Sequence, residues 1–227
     1  MKSGKLFLAT LLLSLFCLAA SAWAVPYVQS ERSSSSVTDN AVFRSLPDLA
    51  ADIAVSRVGI KETGYNRGPE VSKIITRNGG QVGQSWCMYE VVDCYRVASV
   101  IKGIKSPLKR TGSCWDQLRA ATLPGSKMKI LVPGASAGGL QLKRGDVAIH
   151  SRKATNRDLI GKSFLGHTGI LLADHGKTFT SSEGNTSCDD SGSQADGDGV
   201  CIKERKEMGG RMPVVAFLRY DQLPAIT

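Results

Sequence analysis

The sequence predicts an α+β domain in which N-terminal helices pack on a mainly antiparallel β-sheet. The first half of the 227-residue chain carries apolar residues at helical spacing. After about residue 121 the pattern changes to short β-type runs punctuated by Gly, Asp and Ser. No helical stretch long enough for a crossover separates the later runs, so the sheet should be mainly antiparallel.

In chain order, Ser45 is placed to cap a first helix, with Pro47 in its first turn and Leu49, Ile53 and Val58 along one face. Gly59 and then Gly64 end that element. Beyond the Glu62 to Gly68 loop, where Asn66-Arg67-Gly68 reads as a turn, Pro69 opens a second helix. It carries Val71, Ile74 and Ile75 and stops at Gly79-Gly80. A third helix starts at Trp86 and Cys87 and runs to Lys102, burying Met88, Val91, Val92 and Tyr95, and Gly103 closes it. A short helix near Ser113 to Ala121 follows. The expected strands are 129–132, 146–150, 168–173, 178–182, 200–204 and 214–220.

Ahead of this domain, Lys2 and Lys5 precede an apolar run from Leu6 to Ala20 and the small-residue exit Ala22-Trp23-Ala24, the pattern of a cleaved export signal over residues 1–24. Cys17 follows Phe16, not the small residue of a lipid-attachment site, and no later segment is apolar enough to span a bilayer. The expected product is secreted or periplasmic, without a stable membrane anchor. Residues 25–44 include Ser33-Ser34-Ser35-Ser36 and bury too little surface to repay ordering, so they read as a flexible segment. Residues 45–227 form the expected catalytic-sized domain. Of the formal charge of +9, the leader's Lys2 and Lys5 carry two, and the remaining 27 basic against 20 acidic residues (+7) favour polyanionic surroundings, of which export makes the cell wall the natural one. No basic run is interleaved with aromatics, so no nucleic-acid partner is expected.

The chemistry centres on Cys87. A cysteine in the first turn of a helix feels the positive dipole end and unpaired N–H groups, which favour the thiolate. The candidate bases are His150, His167 and His175. His167 follows Gly166 and opens the run Thr168-Gly169-Ile170-Leu171-Leu172, so its ring can face a cleft. His150 and His175 read as surface or satisfied polar residues. In Ser182-Glu183-Gly184-Asn185, Glu183 and Asn185 lie two apart and address the same side of a strand. Either is able to accept the imidazole Nδ1–H and leave Nε2 facing the sulfur. Taken alone, this tetrapeptide also reads as a turn.

The ordered set Gly83-Gln84-Ser85-Trp86-Cys87, Leu142-Lys143-Arg144-Gly145-Asp146-Val147, Gly166-His167-Thr168-Gly169-Ile170, Glu183-Gly184-Asn185 and Val214 to Tyr220 resembles the CHAP family (cysteine, histidine-dependent amidohydrolases/peptidases) of the NlpC-type papain-like clan. The resemblance spans roughly residues 49–220. It implies a papain-like CHAP fold and peptidoglycan as substrate and partner, with Cys87 as nucleophile, His167 as base, and Glu183 and Asn185 as the polar pair behind the histidine. No cofactor is implied. Gln84 is a candidate oxyanion donor and Trp86 a candidate substrate platform, although loop capping and packing are their ordinary roles. Met88 departs from the small residue that many relatives place beside the cysteine. The motifs fit both an endopeptidase and an N-acetylmuramoyl-L-alanine amidase, with the peptide cut slightly favoured. An amidase on a non-wall amide or isopeptide and a non-catalytic wall-binding module are the rival readings. No inhibitor or immunity partner is named by the sequence.

Beyond the leader the cysteines are Cys87, Cys94, Cys114, Cys188 and Cys201, an odd number. Cys94 lies seven residues after Cys87, about 10 Å along a helix, too far to bridge it. The pairing expected is Cys94 with Cys114 and Cys188 with Cys201, leaving Cys87 as the free thiol. Between the last two cysteines, Asp189, Asp190, Asp196 and Asp198 lack the ligand alternation of an EF-hand and read as a solvated hairpin loop, with no metal site.

Overall fold

The computed structural model describes residues 44–134, 140–152, 165–189 and 191–221. The expected export signal (1–24), nearly all of the 25–44 segment, Asp190 and residues 222–227 lie outside the described residues.

Among the described residues, four helices precede six strands: α1 Leu46–Ser56, α2 Pro69–Arg77, α3 Cys87–Ile101, α4 Cys114–Ala121, then β1 Met128–Leu131, β2 Val147–Arg152, β3 Leu165–Asp174, β4 Thr178–Thr186, β5 Gly199–Lys206 and β6 Val214–Tyr220. The strands form one sheet in the order β1-β6-β2-β3-β4-β5, with every neighbouring pair antiparallel. The architecture is therefore α+β, as the switch from helical to strand periodicity requires. Helix caps follow local chemistry. Ser45 Oγ accepts the Asp48 N–H at 3.2 Å, and Ser113 Oγ accepts the Asp116 N–H at 3.1 Å.

The sheet is covered on one face by the helices. Leu46, Leu49, Ala50 and Ala54 of α1, Met88, Val91, Val92 and Tyr95 of α3, and Val147, Ile149, Ile170 and Leu218 of the sheet share one core. A smaller cluster on the other strand positions joins Ala148, Leu171, Phe179, Val214 and Phe217, with Phe179 and Phe217 edge-to-face at 5.4 Å. A third cluster seats α2 through Val71, Ile74 and Ile75 against Trp86 and Val200.

Helix α3 was expected to bury one apolar face and instead is buried almost all round, including Glu90 and Asp93. Arg57, just beyond α1, makes this possible. Its guanidinium donates to Glu90 Oε2 at 3.0 Å and to Asp93 Oδ2 at 2.6 Å, while Arg77, Arg96 and Asn78 supply the remaining partners of Asp93. Buried carboxylates survive only with such pairing. Burial raises the Glu90 carboxyl, with Arg57 opposing. Asp93 is held low by Asn78 and Arg57 against the effect of burial.

The expected Cys94–Cys114 disulfide is not formed: Cys94 and Cys114 are free, as is Cys87, and all three are buried. Cys94 instead donates to Glu90 Oε1 at 3.2 Å and lies 3.4 Å from an Arg57 nitrogen. Cys114 opens α4, and the residues just before it, Thr111 to Ser113, line one pocket with Gln84, Ser85 and Tyr89 near the start of α3. The roughly 10 Å of helix between Cys87 and Cys94 exceeds what a disulfide spans, so a residue seated against the first is out of range of the second. The Cys188–Cys201 bridge is present.

Candidate active site

Cys87 is the first residue of α3, following Trp86, whose backbone (φ −120°, ψ 8°) breaks the helical path. At this position it sits among the free N–H groups and the positive dipole end of the first helical turn. The preceding loop is held by local contacts. Gln84 Oε1 accepts from Gln81 N–H and Tyr89 O–H, both at 2.9 Å, and the buried Trp86 donates its indole N–H to Glu62 Oε1 at 2.7 Å. The other Glu62 oxygen accepts the Asn66 N–H at 2.7 Å, and Asn66 adopts φ 48°, so residues 62–68 form a turn tied to the indole. The Gln84 carbonyl oxygen is thus engaged in the loop and Trp86 is a packing residue, too enclosed to be a platform.

His167 is the third residue of β3, fully buried, and stands directly opposite His150 of β2. Thr168 fixes the strand here by donating to the Ala148 carbonyl at 2.7 Å. His167 Nε2 lies 2.9 Å from Glu183 Oε2. An ionised carboxylate only accepts, so Nε2 carries the proton. The remaining nitrogen, Nδ1, is buried and has no hydrogen-bond partner among the described residues. This reverses the ring orientation expected from the sequence, in which Nδ1–H went to the acceptor and Nε2 faced the thiol.

Glu183 is the most heavily supported group. Arg205 Nε donates to Oε1 at 2.8 Å and an Arg205 terminal nitrogen donates to Oε2 at 2.5 Å, while Ser181 Oγ donates to Oε1 at 2.7 Å. A Cβ on Gly169 would come within 2.6 Å of Glu183 Cγ and 2.9 Å of the Ser182 carbonyl oxygen, so the cross-strand position must be glycine for the carboxylate to lie where it does.

Asn185 does not join this group. It adopts φ 58°, and the β4–β5 register shifts between Glu183 and Thr186, which breaks the two-residue alternation that was to bring it beside Glu183. Its side-chain amide lies 3.4 Å from Asp196 Oδ1, and its backbone carbonyl accepts the Gly197 N–H at 2.9 Å. Its place is to anchor the 187–198 loop. In that loop Asp189 accepts from Gly192 N–H and Ser191 Oγ, both at 2.9 Å, an ordinary turn arrangement.

Three further residues carry no readable sign in the sequence. Arg205 is one lysine/arginine among many, and only the β4–β5 pairing brings it to Glu183. Cys114 is buried in the same cluster as Cys87. His150, expected to be a surface or satisfied polar residue, is fully buried. Its Nδ1 lies 3.1 Å from the Met212 carbonyl, its ring stacks on Phe179 at 6.1 Å, and its Nε2 has no partner. His175 is exposed and bonded to Thr180 Oγ1 at 2.8 Å.

These contacts set the protons. Cys87 lies well below the usual thiol value, with the Cys114 thiol as the largest influence and His167 adding to it against the effect of burial. Burial alone would lower His167, but Cys87 and Glu183 lift it to about 9. Burial opposes ionisation of Glu183, and Arg205 and His167 overcome it, holding the carboxyl well below the usual carboxylate range. These directions favour the thiolate of Cys87, the imidazolium of His167 and the carboxylate of Glu183, with the Arg205 guanidinium behind the carboxylate. Such an arrangement attacks an electrophilic carbonyl and returns a proton to the leaving group.

No family model matches the chain, and no curated protein does. Among solved structures, it is similar to the crystal structure of a wild type endolysin, LysIME-EF1, at 20% identity and a TM-score of 0.45, over 80% of this chain and 67% of that one. A likeness of that degree bears on neither activity nor substrate.

Proposed function

We propose that this chain is a thiol-dependent peptidoglycan amidohydrolase of the CHAP type, with Cys87 as nucleophile, His167 as acid and base, and Glu183 as the orienting carboxylate. The observation that carries the reading is the buried His167 Nε2–Glu183 Oε2 contact at 2.9 Å, with the buried Cys87 at the first turn of α3. The sequence motifs at 83–87, 142–147, 166–170 and 183–185 support the same assignment, and the formal charge of +9 suits an anionic wall polymer.

The steps follow from the proton positions. The Cys87 thiolate attacks an amide carbonyl, and the oxyanion takes hydrogen bonds from the free first-turn N–H groups of α3. His167 then gives its Nδ1 proton to the departing amine, leaving a thioester on Cys87. It next removes a proton from water, which attacks the thioester and frees the acid. Glu183 keeps the ring in one tautomer throughout. Residues 1–24 act in this reading as an export leader and 25–44 as a tether to the catalytic domain.

A peptide bond within the stem or cross-bridge is favoured over the lactyl–L-alanine link, because an extended backbone lies along a helix start without a sugar pocket. Digestion of purified peptidoglycan, with mass spectrometry of the released muropeptides, tests both levels. New amino termini within the peptide are expected. New L-alanine amines on sugar-free peptides would make it an amidase, and no new amine at all would remove the wall as substrate.

A further inference from the structure

Beyond the end of α3 lies an open groove of about 580 Å³, lined chiefly by residues 104–109, which follow α3, and by residues 123–127, which follow α4. Its aliphatic side chains stand in water: Ile104 is 39% and Leu123 59% exposed, and Val100 (68%) and Ile101 (41%) end α3 just before it. The segments are closed turns, with the Ile104 N–H on the Ser99 carbonyl at 3.0 Å and the Ser126 N–H on the Leu123 carbonyl at 3.1 Å, so the exposure is not that of a frayed end. The charged residues of the lining are Lys105, Lys109 and Lys127, all exposed, and no carboxylate lines it. The acids close by are Asp116, which faces Lys109 at 3.5 Å and Arg119 at 3.2 Å, and Asp221, whose backbone N–H meets the Lys127 carbonyl at 2.9 Å.

We propose that this groove docks the chain on the surface of an anionic phospholipid bilayer, with Ile104 and Leu123 entering the interface and the three lysines meeting headgroup phosphates. The inference goes beyond the proposed function and makes no use of Cys87. Charge and polarity choose the occupant together. A lysine stem lies along apolar surface while its ammonium stays with water and phosphate, which is the layering of a lipid interface. A hydrophilic polyanion would satisfy the ammonium groups and leave the aliphatic side chains in water. An apolar protein face would cover the aliphatics and strip water from three ammonium groups with no acid to receive them. Near an anionic leaflet each lysine raises the partition about fivefold, an effect confined to the Debye length. No helix among the described residues is long and apolar enough to cross a membrane, so the contact is peripheral.

The test is co-sedimentation with vesicles of phosphatidylcholine alone or mixed with phosphatidylglycerol, using the chain without residues 1–24, whose apolar run would itself bind lipid. The wild type should sediment with the anionic vesicles only, and salt should weaken the binding. Combining Lys105→Gln, Lys109→Gln and Lys127→Gln should lower the partition about a hundredfold. The same change at Lys61, Lys177 and Lys206, exposed lysines outside the groove, should cost no more than roughly fivefold. Ile104→Ser with Leu123→Ser should cost about tenfold and leave the salt dependence in place. Circular dichroism reports folding, and where the triple variant does not fold, Lys105→Gln alone should still cost about fivefold. Equal losses in the two lysine sets would reduce the effect to net charge and overturn the groove. An Ile104, Leu123 double variant that binds like the wild type would mean that the lysines meet a hydrophilic polyanion, and wild-type protein that binds neither vesicle, or both alike, also overturns the proposal. The readout needs no peptidoglycan, so it stands or falls apart from the proposed activity.

Discussion

Arg205 grips Glu183 with two nitrogens, at 2.8 and 2.5 Å, from the neighbouring strand. The same guanidinium reaches the Gln194 carbonyl at 3.3 Å and its side-chain oxygen at 3.4 Å, so the loop closed by Cys188–Cys201 is docked on the residue behind the carboxylate. Cys201 is itself the cross-strand partner of Glu183. A buried carboxylate held by a largely enclosed cation costs much to break from one side, about 3–5 kcal/mol, because the buried charge is left alone. Arg205→Ala should therefore destabilise the protein by that order in chemical denaturation. Arg205→Lys, which keeps the charge but loses the two-pronged geometry, should fall between. An alanine variant as stable as the wild type would mean that the pair contributes nothing.

The proton on His167 gives a second expectation. With its value raised to about 9, the imidazolium persists across neutral pH, and activity should fall as pH rises through about 9 and the leaving group loses its donor. Glu183→Gln preserves an acceptor for Nε2 but removes the charge, so the alkaline limb should move towards lower pH. A kcat/KM profile with the same alkaline limb in both proteins would exclude Glu183 from control of that proton.

Much of this was legible in the sequence where a single local rule applied. Ser45 and Ser113 cap helices by their own side chains, Pro69 opens α2, and the last strand spans Val214–Tyr220 as the β-type run suggested. Local rules failed where an interaction crossed elements. Asn185 looked aligned with Glu183 by alternation, but a left-handed residue in a bulge cancels that period. The pairing of Cys94 with Cys114 followed from counting thiols, and the count carries no information on which helix starts meet. The imidazole was assigned the wrong face because the strand spacing places Glu183 near His167 without saying which ring nitrogen it meets.

The thiol inventory separates these pairings directly. In native, unreduced protein lacking the leader, Cys87 should be the first cysteine alkylated. After unfolding without reductant, Cys87, Cys94 and Cys114 should all react, while Cys188 and Cys201 stay linked until reduced. Peptide mapping that recovers Cys94 and Cys114 joined would restore the pairing expected from the odd count. Recovery of Cys87 joined to Cys114 would mean that the two sulfurs are not the reduced pair described.

His150 carries the last expectation. Burial holds it near 4, so the folded protein keeps it neutral while an unfolded chain would bind a proton near 6.5. A depressed value contributes stability that is present above 6.5 and is lost as pH falls towards 4, on the order of 3 kcal/mol over the full range. The neighbouring groups act in other windows, which keeps the effect separable. His167, raised to about 9, contributes stability that is complete below 6.5 and disappears as pH rises through 9. Glu183, held low by Arg205 and His167, loses its contribution only below the ordinary carboxylate range. Between pH 6.5 and about 4.5, then, falling stability reports chiefly on His150. His150→Phe fills the same space against Phe179, removes the unpartnered Nε2 and cannot titrate. Denaturant unfolding at a series of pH values should show the wild type losing stability across that window while the variant stays nearly flat. Parallel losses in both proteins would place the acid sensitivity elsewhere and assign His150 no part in it.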